Sequence, residues 1–225
     1  MNLSFPLLKN RRRCLQLVAT VLFGWHHSAA LTQATERRPK TQKMLLILGD
    51  SLSAEYGLKR GTGWVALLTH RMQQTHPSFK VVNASISGDT TAGGRSRLSA
   101  LLQQNQPSHV MIELGGNDAL RGLPLEQTTA NLKYMIQTAK DHGCQVILVG
   151  MQVPPNYGRA YTQQFENMFQ QISKEQKVPL VPFLLKGVAD RPNAYELFQA
   201  DRIHPNEGAQ PIMLENVWQR LAYQL

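Results

Sequence analysis

The chain has 225 residues, enough for one well-buried domain and small for two. Hydrophobic residues make up 42% and charged residues 17%, which excludes a disordered chain. No apolar run reaches the roughly 20 residues that a membrane-crossing helix takes.

Residues 1–30 read differently from the rest. Lys9 and Arg11-Arg12-Arg13 form a positive block, an apolar stretch runs from Cys14 to Trp25, and small residues follow at Ser28-Ala29-Ala30. That order is a basic region, an apolar core and a cleavage site, so a signal peptide cut near Ala30 is expected, with a periplasmic or secreted product. A retained membrane anchor is the alternative, for which the apolar stretch is short. The leader holds four basic residues and no acidic one, so the formal +9 falls to about +5 in the remainder, 20 basic residues against 15 acidic. Residues 31–43 read as a solvated, positively charged linker. A nucleic-acid footprint would need clustered charge interleaved with aromatic residues, so no nucleic-acid partner is expected. Cys14 leaves with the leader; Cys144 then stands alone beside an apolar run, as a buried and inert thiol.

From Lys43 onward, apolar runs alternate with helical patterns. Met44–Leu48 is a short, fully apolar run ending at Gly49, the pattern of a strand buried on both faces. Gly63–Arg71 then shows helical spacing through Trp64, Leu67, Leu68 and Met72. Val81-Val82 marks a second strand, and Arg95–Gln104 a helix. His109–Leu114 is a third strand ending at Gly115-Gly116. Leu125–Asp141 is a helix stopped by His142-Gly143, and Val146–Val149 a fourth strand. Tyr161–Gln176 is helical, Pro179–Phe183 is a weak fifth strand whose prolines suit a sheet edge, and Glu207–Tyr223 closes the chain as a helix. Such alternation predicts an α/β fold of three layers, a parallel sheet covered by helices on both faces, formed by residues 44–225.

Ligands bind at the carboxyl ends of strands in open α/β sheets. Gly49-Asp50-Ser51 follows the first predicted strand, Ser87-Gly88-Asp89 the second, and Gly115-Gly116-Asn117-Asp118 the third. A serine hydroxyl needs a neighbouring base, and the base needs a third group to fix its tautomer. Asp201-Arg202-Ile203-His204 supplies both, because a carboxylate three residues before a histidine can turn back onto Nδ1. Ser51, His204 and Asp201 are therefore the candidate nucleophile, base and orienting acid. The backbone N–H groups of Ser51 and Gly88 and the side-chain amide of Asn117 are candidate oxyanion donors.

These four blocks, Gly49-Asp50-Ser51-Leu52-Ser53, Ser85-Ile86-Ser87-Gly88-Asp89, Gly115-Gly116-Asn117-Asp118 and Asp201-Arg202-Ile203-His204-Pro205, resemble those of the GDSL or SGNH hydrolase family. The similarity runs from about Met44 to the C-terminus. Val81–Thr90, Glu113–Asp118 and Asn156-Tyr157-Gly158-Arg159 carry it toward the bacterial thioesterases, lysophospholipases and arylesterases of that family. The resemblance implies a flavodoxin-like five-stranded sheet of order 2-1-3-4-5, a Ser51–His204–Asp201 triad, an oxyanion hole of Ser51, Gly88 and Asn117, and no cofactor. Two positions depart from the common pattern. Glu55 and Arg202 stand where glycine is common, and Glu55 is expected to face solvent.

The loops beyond the strands choose the substrate. The resemblance makes 119–125 and 152–161 walls of an acyl groove, with Leu120, Leu123, Val153, Pro154 and Tyr157 as lining residues; Leu125 and Pro155 lie in the same loops. Such a groove suits small-molecule acyl esters and thioesters: aryl esters, short- to medium-chain acyl groups, lysophospholipids and, in vitro, acyl-CoA. Transient contact with membrane lipid fits these substrates, and a monomer is expected. Arg121 and Arg159 would favour anionic head groups. A carbohydrate O-acetylesterase and an inactive flavodoxin-like binding protein are the competing readings. His70, His76, His109 and His142 are expected as surface or cap residues, and none has metal-ligand spacing, so no metal is expected.

Overall fold

The computed structural model describes residues 42–225. The expected leader and all but the end of the expected linker lie outside these residues. Lys43, expected as the linker's last residue, already belongs to the first strand.

Five parallel strands form the sheet: β1 (Lys43–Gly49), β2 (Phe79–Asn83), β3 (His109–Glu113), β4 (Gln145–Val149) and β5 (Leu180–Val181), in the order β2-β1-β3-β4-β5. Successive strand side chains point to opposite faces. Leu46 and Leu48 of β1 therefore join one core, with Val110 and Ile112 of β3, while Leu45, Ile47 and Met111 join the other. Helices α2 (Thr91–Asn105), α4 (Leu125–Asp141) and α5 (Arg159–Gln176) cover the first face, and α1 (Trp64–Thr75) and α6 (Gln210–Leu221) the second. The central strands are buried on both faces, which is why Leu45–Leu48, Val110–Ile112 and Val146–Val149 read as apolar runs, while β2 at the edge is only partly buried.

The differences from the predicted elements have local causes. Helix α2 begins at Thr91 rather than Arg95, because the Thr90 side chain accepts from the Gly93 N–H at 3.3 Å and caps it. Strand β5 shrinks to Leu180–Val181, since Pro179 and Pro182 cannot donate to the ladder. The last helix splits into a 3₁₀ turn (Glu207–Ala209) and α6, whose first turn carries Pro211. A five-residue helix, α3 (Gly116–Leu120), was not anticipated.

Cys144 is buried, as expected, and its thiol donates to the Pro107 carbonyl at 3.0 Å. His109 is not a surface residue. It is buried, with Nε2 2.9 Å from the Gln224 carbonyl, and burial lowers the pKa of its imidazole. His76 and His142 do occupy helix C-caps.

Trp64 links the second core to the candidate site: it is fully buried, and its indole N–H donates to the Leu52 carbonyl at 3.1 Å. Trp64→Phe keeps an aromatic ring but removes that donor. Urea unfolding should show a loss of about 1–3 kcal/mol; an unchanged midpoint would deny the bond any structural weight.

Candidate active site

The register of the sheet places the site. Gly49 at the end of β1 lies opposite Glu113 at the end of β3, so Ser51 and Asn117 leave adjacent strands at the same level. On the other side, β2 hands over to a segment still bonded to β1. The Ala84 N–H donates to Ile47 O at 2.9 Å, the Ile86 N–H to Gly49 O at 3.0 Å, and the Asn83 amide to Ser53 O at 2.7 Å. The Gly88 loop is thereby carried to the same edge.

After β1 the chain turns sharply. The Ala54 N–H donates to Asp50 O at 2.9 Å, closing one helical turn, and the helix ends at once because Glu55 is left-handed at φ 60°. A residue with a Cβ spends ~1–2 kcal/mol to adopt that conformation. The Glu55 carboxylate offsets this by accepting from Gly61 N–H (3.0 and 3.1 Å) and Gly63 N–H (2.8 Å). Glu55 is therefore half-buried and engaged, not turned to solvent as expected. The glycine common at its place would enter the turn freely but would leave those two donors without the carboxylate.

The histidine arrives on a tight loop clamped by a bridge between Phe198 and Pro205 and by Gln199 N–H to His204 O at 2.8 Å. Arg202 at its tip has φ 58°, which explains why glycine is common there too. Within this loop, Asp201 accepts from the backbone N–H of His204 (3.0 Å), from His204 Nδ1 (2.7 Å) and from the Ile203 N–H (2.9 Å). Those bonds, the His204 backbone bond foremost, hold its carboxyl down at about 2. With Asp201 ionised, Nδ1 is the donor and Nε2 the acceptor. Nε2 lies 2.9 Å from Ser51 Oγ, so the serine hydroxyl donates to it.

The donors for a developing negative charge are also in place. Gly88 is left-handed at φ +78°, a conformation glycine adopts without strain, and its carbonyl is held at 2.7 Å by the Arg121 guanidinium. The Asn117 amide donates one hydrogen to Asp50 Oδ2 at 3.0 Å, leaving its second for a ligand. Neither the Ser51 nor the Gly88 N–H donates to any other group among the described residues. Asp118, beside Asn117, accepts from Thr91 N–H at 2.9 Å and from Thr128 at 3.3 Å, which ties α3 to the start of α2.

The structure thus joins Ser51, His204 and Asp201 in one hydrogen-bonded chain, with Asn117 and the Gly88 loop at the same edge of the sheet. It is less uniform with the expected groove. Leu120, Pro154 and Tyr157 are exposed and Leu123 is half-buried. Val153, however, is only 6% exposed and packs into the core with Phe165 and Phe169, so it supports the loop and lines nothing. Arg121 is committed to Gly88, which replaces the expected head-group role with a structural one. Two neighbours carried no signal in the sequence. The Tyr56 ring stands 4.4 Å from the His204 ring, and the Gln199 amide bridges the carbonyls of Tyr56 (2.8 Å) and Pro205 (3.1 Å). Glu113 did carry one, as an acid ending an otherwise apolar strand.

A serine, histidine and carboxylate in hydrogen-bond sequence, facing unclaimed donors at the carboxyl edge of a parallel sheet, define a serine hydrolase. The chain belongs to the GDSL-like lipase/acylhydrolase family, whose model matches residues 47–210. It is 49% identical over 177 residues to esterase TesA of Pseudomonas aeruginosa, covering 79% of this chain and 87% of that protein. It is 41% identical over 194 residues to thioesterase 1/protease 1/lysophospholipase L1 of Escherichia coli K12, covering 86% and 90%. The crystal structure of esterase EstA from Pseudoalteromonas sp., inhibited by monoethylphosphonate, matches with a TM-score of 0.75 at 38% identity, covering 81% of this chain and 98% of that one. This protein is accordingly an ester-hydrolysing enzyme.

Asn117→Ala removes a donor needed only when charge develops. It should lower kcat by about 10²–10³ with little change in KM, measured on a p-nitrophenyl ester. Loss confined to KM would place Asn117 in ground-state binding instead.

Proposed function

We propose that the enzyme cleaves carboxylic esters and thioesters through an acyl-enzyme on Ser51. The observation that carries this reading is the continuous chain from Ser51 Oγ through His204 to Asp201, set against unclaimed donors at Ser51, Gly88 and Asn117. His204 Nε2 takes the hydroxyl proton as Oγ attacks the acyl carbon. The carbonyl oxygen becomes an oxyanion held by the two backbone N–H groups and the free amide hydrogen of Asn117. Collapse expels the alkoxide or thiolate, which receives the proton back from His204. Water then repeats the sequence and releases the acid. Asp201 remains ionised throughout and stabilises the imidazolium.

The acyl groups that suit this site are short to medium in length, on aryl alcohols, lysophospholipids or thiols such as coenzyme A in vitro. The exposed side chains of Leu120, Pro154 and Tyr157 support an open apolar groove. Ile86 and Ile203, both exposed and each close in sequence to a catalytic group, support transient contact with a lipid surface. The names of the relatives, esterase and thioesterase/lysophospholipase, support the same range. The basic, apolar and small-residue pattern of residues 1–30 supports action in the periplasm or outside the cell.

A fluorophosphonate probe should label the wild type and leave Ser51→Ala unlabelled; equal labelling of both would remove Ser51 from its role. Hydrolysis of octanoyl and decanoyl esters should exceed that of acetylated sugars. The depressed Asp201 carboxyl gives a further outcome. A folded pKa of about 2 against an ordinary 3.8 means stability that is present above pH 3.8 and lost as pH falls toward 2. The difference in Tm between wild type and Asp201→Asn should therefore shrink across that window; a constant difference would contradict the bonding described.

A further inference from the structure

Beneath the nucleophile turn lies a pair of buried acids that the mechanism above does not use. Asp50 and Glu113 are each 2% exposed, and neither forms an ion pair among the described residues. Glu113 Oε2 accepts from Ser53 Oγ at 2.7 Å and lies 3.3 Å from the Asp50 N–H. A Cβ at Gly49 would come within 2.7 Å of that same oxygen and 2.8 Å of Ser53 Oγ, so the chain keeps glycine there to let the acid in. Asp50 accepts from two N–H groups: Leu52 N–H at 3.0 Å on Oδ1 and the Asn117 amide at 3.0 Å on Oδ2.

Two neighbouring carboxyls, both buried and without a paired cation, do not both ionise near neutral pH. The other charged groups around them do not change this. Arg97 reaches the Gly49 carbonyl at 3.5 Å, but its guanidinium is paired with Asp89 at 2.7 Å. Asp89 acts on Asp50 as a like charge, and His204 acts on it favourably. The kind of donor decides which acid holds the proton. Both partners of Asp50 are N–H groups that can only donate, whereas Ser53 Oγ, the nearer partner of Glu113, can accept as well, so Asp50 is the anion and Glu113 the acid.

We propose that Glu113 is a positioning residue: it holds the proton of the pair, keeps Asp50 as the single anion, and through Asp50 aims the Asn117 amide at the oxyanion. Glu113 touches no reacting atom, and its effect passes entirely through Asp50 and the turn that Asp50 begins. A second negative charge beneath the oxyanion hole would oppose the charge that develops there, so the shared proton protects the transition state. Burial pushes Glu113 well above the ordinary carboxylate range, in the sense this requires; it also raises Asp50, to about 6, against the pull of its hydrogen bonds, so Asp50 is the anion above that pH.

The inference rests on the hydrolase reading, and the test separates the two. Fluorophosphonate labelling that is equal in wild type and Ser51→Ala fails that reading; the comparisons below fail only this one. Glu113→Gln replaces the acidic proton by an amide hydrogen and keeps an oxygen for Ser53 and the Asp50 N–H. Glu113→Leu keeps approximate bulk and keeps neither. Glu113→Leu should lower kcat on a p-nitrophenyl ester by about tenfold or more at nearly constant KM, and Glu113→Gln should restore kcat to within about threefold of wild type. Folding also takes up a proton at Glu113 in the wild type whenever pH exceeds its ordinary value of 4.5, because the folded pKa is raised. Wild-type stability relative to Glu113→Gln should therefore fall as pH rises above 4.5, so that the Tm advantage of Glu113→Gln grows from about pH 5 to about pH 8. This second readout does not depend on whether Glu113→Leu folds. A Tm difference flat over that range, or a Glu113→Gln variant as slow as Glu113→Leu, overturns the proposal.

Discussion

Strand β1 has a neighbour on each side, so its peptide groups are committed along both edges, to β2 and to β3. Its carboxyl end cannot shift without breaking both ladders. The pairing also continues past the strands, where Ala84 and Ile86 go on bonding to Ile47 and Gly49. Ser51, Gly88 and Asn117 each sit only a few residues beyond this fixed edge. Precision at the site is inherited from the centre of the sheet, where displacement would be most expensive.

The fourth component arrives differently. His204 and Asp201 stand on a loop of their own, closed by short-range bonds and pressed to the nucleophile turn by Gln199 and Tyr56. The carboxylate and imidazole are already oriented toward each other within four residues of chain. Docking the loop therefore has one task, bringing Nε2 to the serine. Helix α6 completes it by packing against α1, whose Trp64 holds the far side of the nucleophile turn.

Most of this was legible in the sequence, for reasons that also explain the gaps. Unbroken apolar runs revealed β1, β3 and β4, since strands buried on both faces have no polar alternation to confuse the reading. Leu125–Asp141 was readable to its last residue because Leu132, Met135, Ile136 and Ala139 keep one buried stripe. Helix α3 was hidden because five residues are too few to show periodicity. Among side chains, the hydrogen-bonded chain of Ser51, His204 and Asp201 was legible, as its chemistry demands particular residue types. Val153 was misplaced because an apolar residue in a loop looks the same whether it lines a groove or plugs the core. Glu55 was misread for a related reason: its partners are backbone N–H groups of glycines six and eight residues on, and backbone donors leave no mark in a sequence.

The separation of Ser51 from His204, 153 positions along the chain, has a consequence in time as well as in space. A ribosome making this protein releases Ser51 well before His204, and α6, which follows the histidine loop, comes later still. Until then the emerging polypeptide holds a serine with nothing to take its proton. On the proposed mechanism, hydrolytic competence therefore waits for the His204 loop to be made and docked, and a chain cut short before His204 lacks the base that sets Ser51 to work.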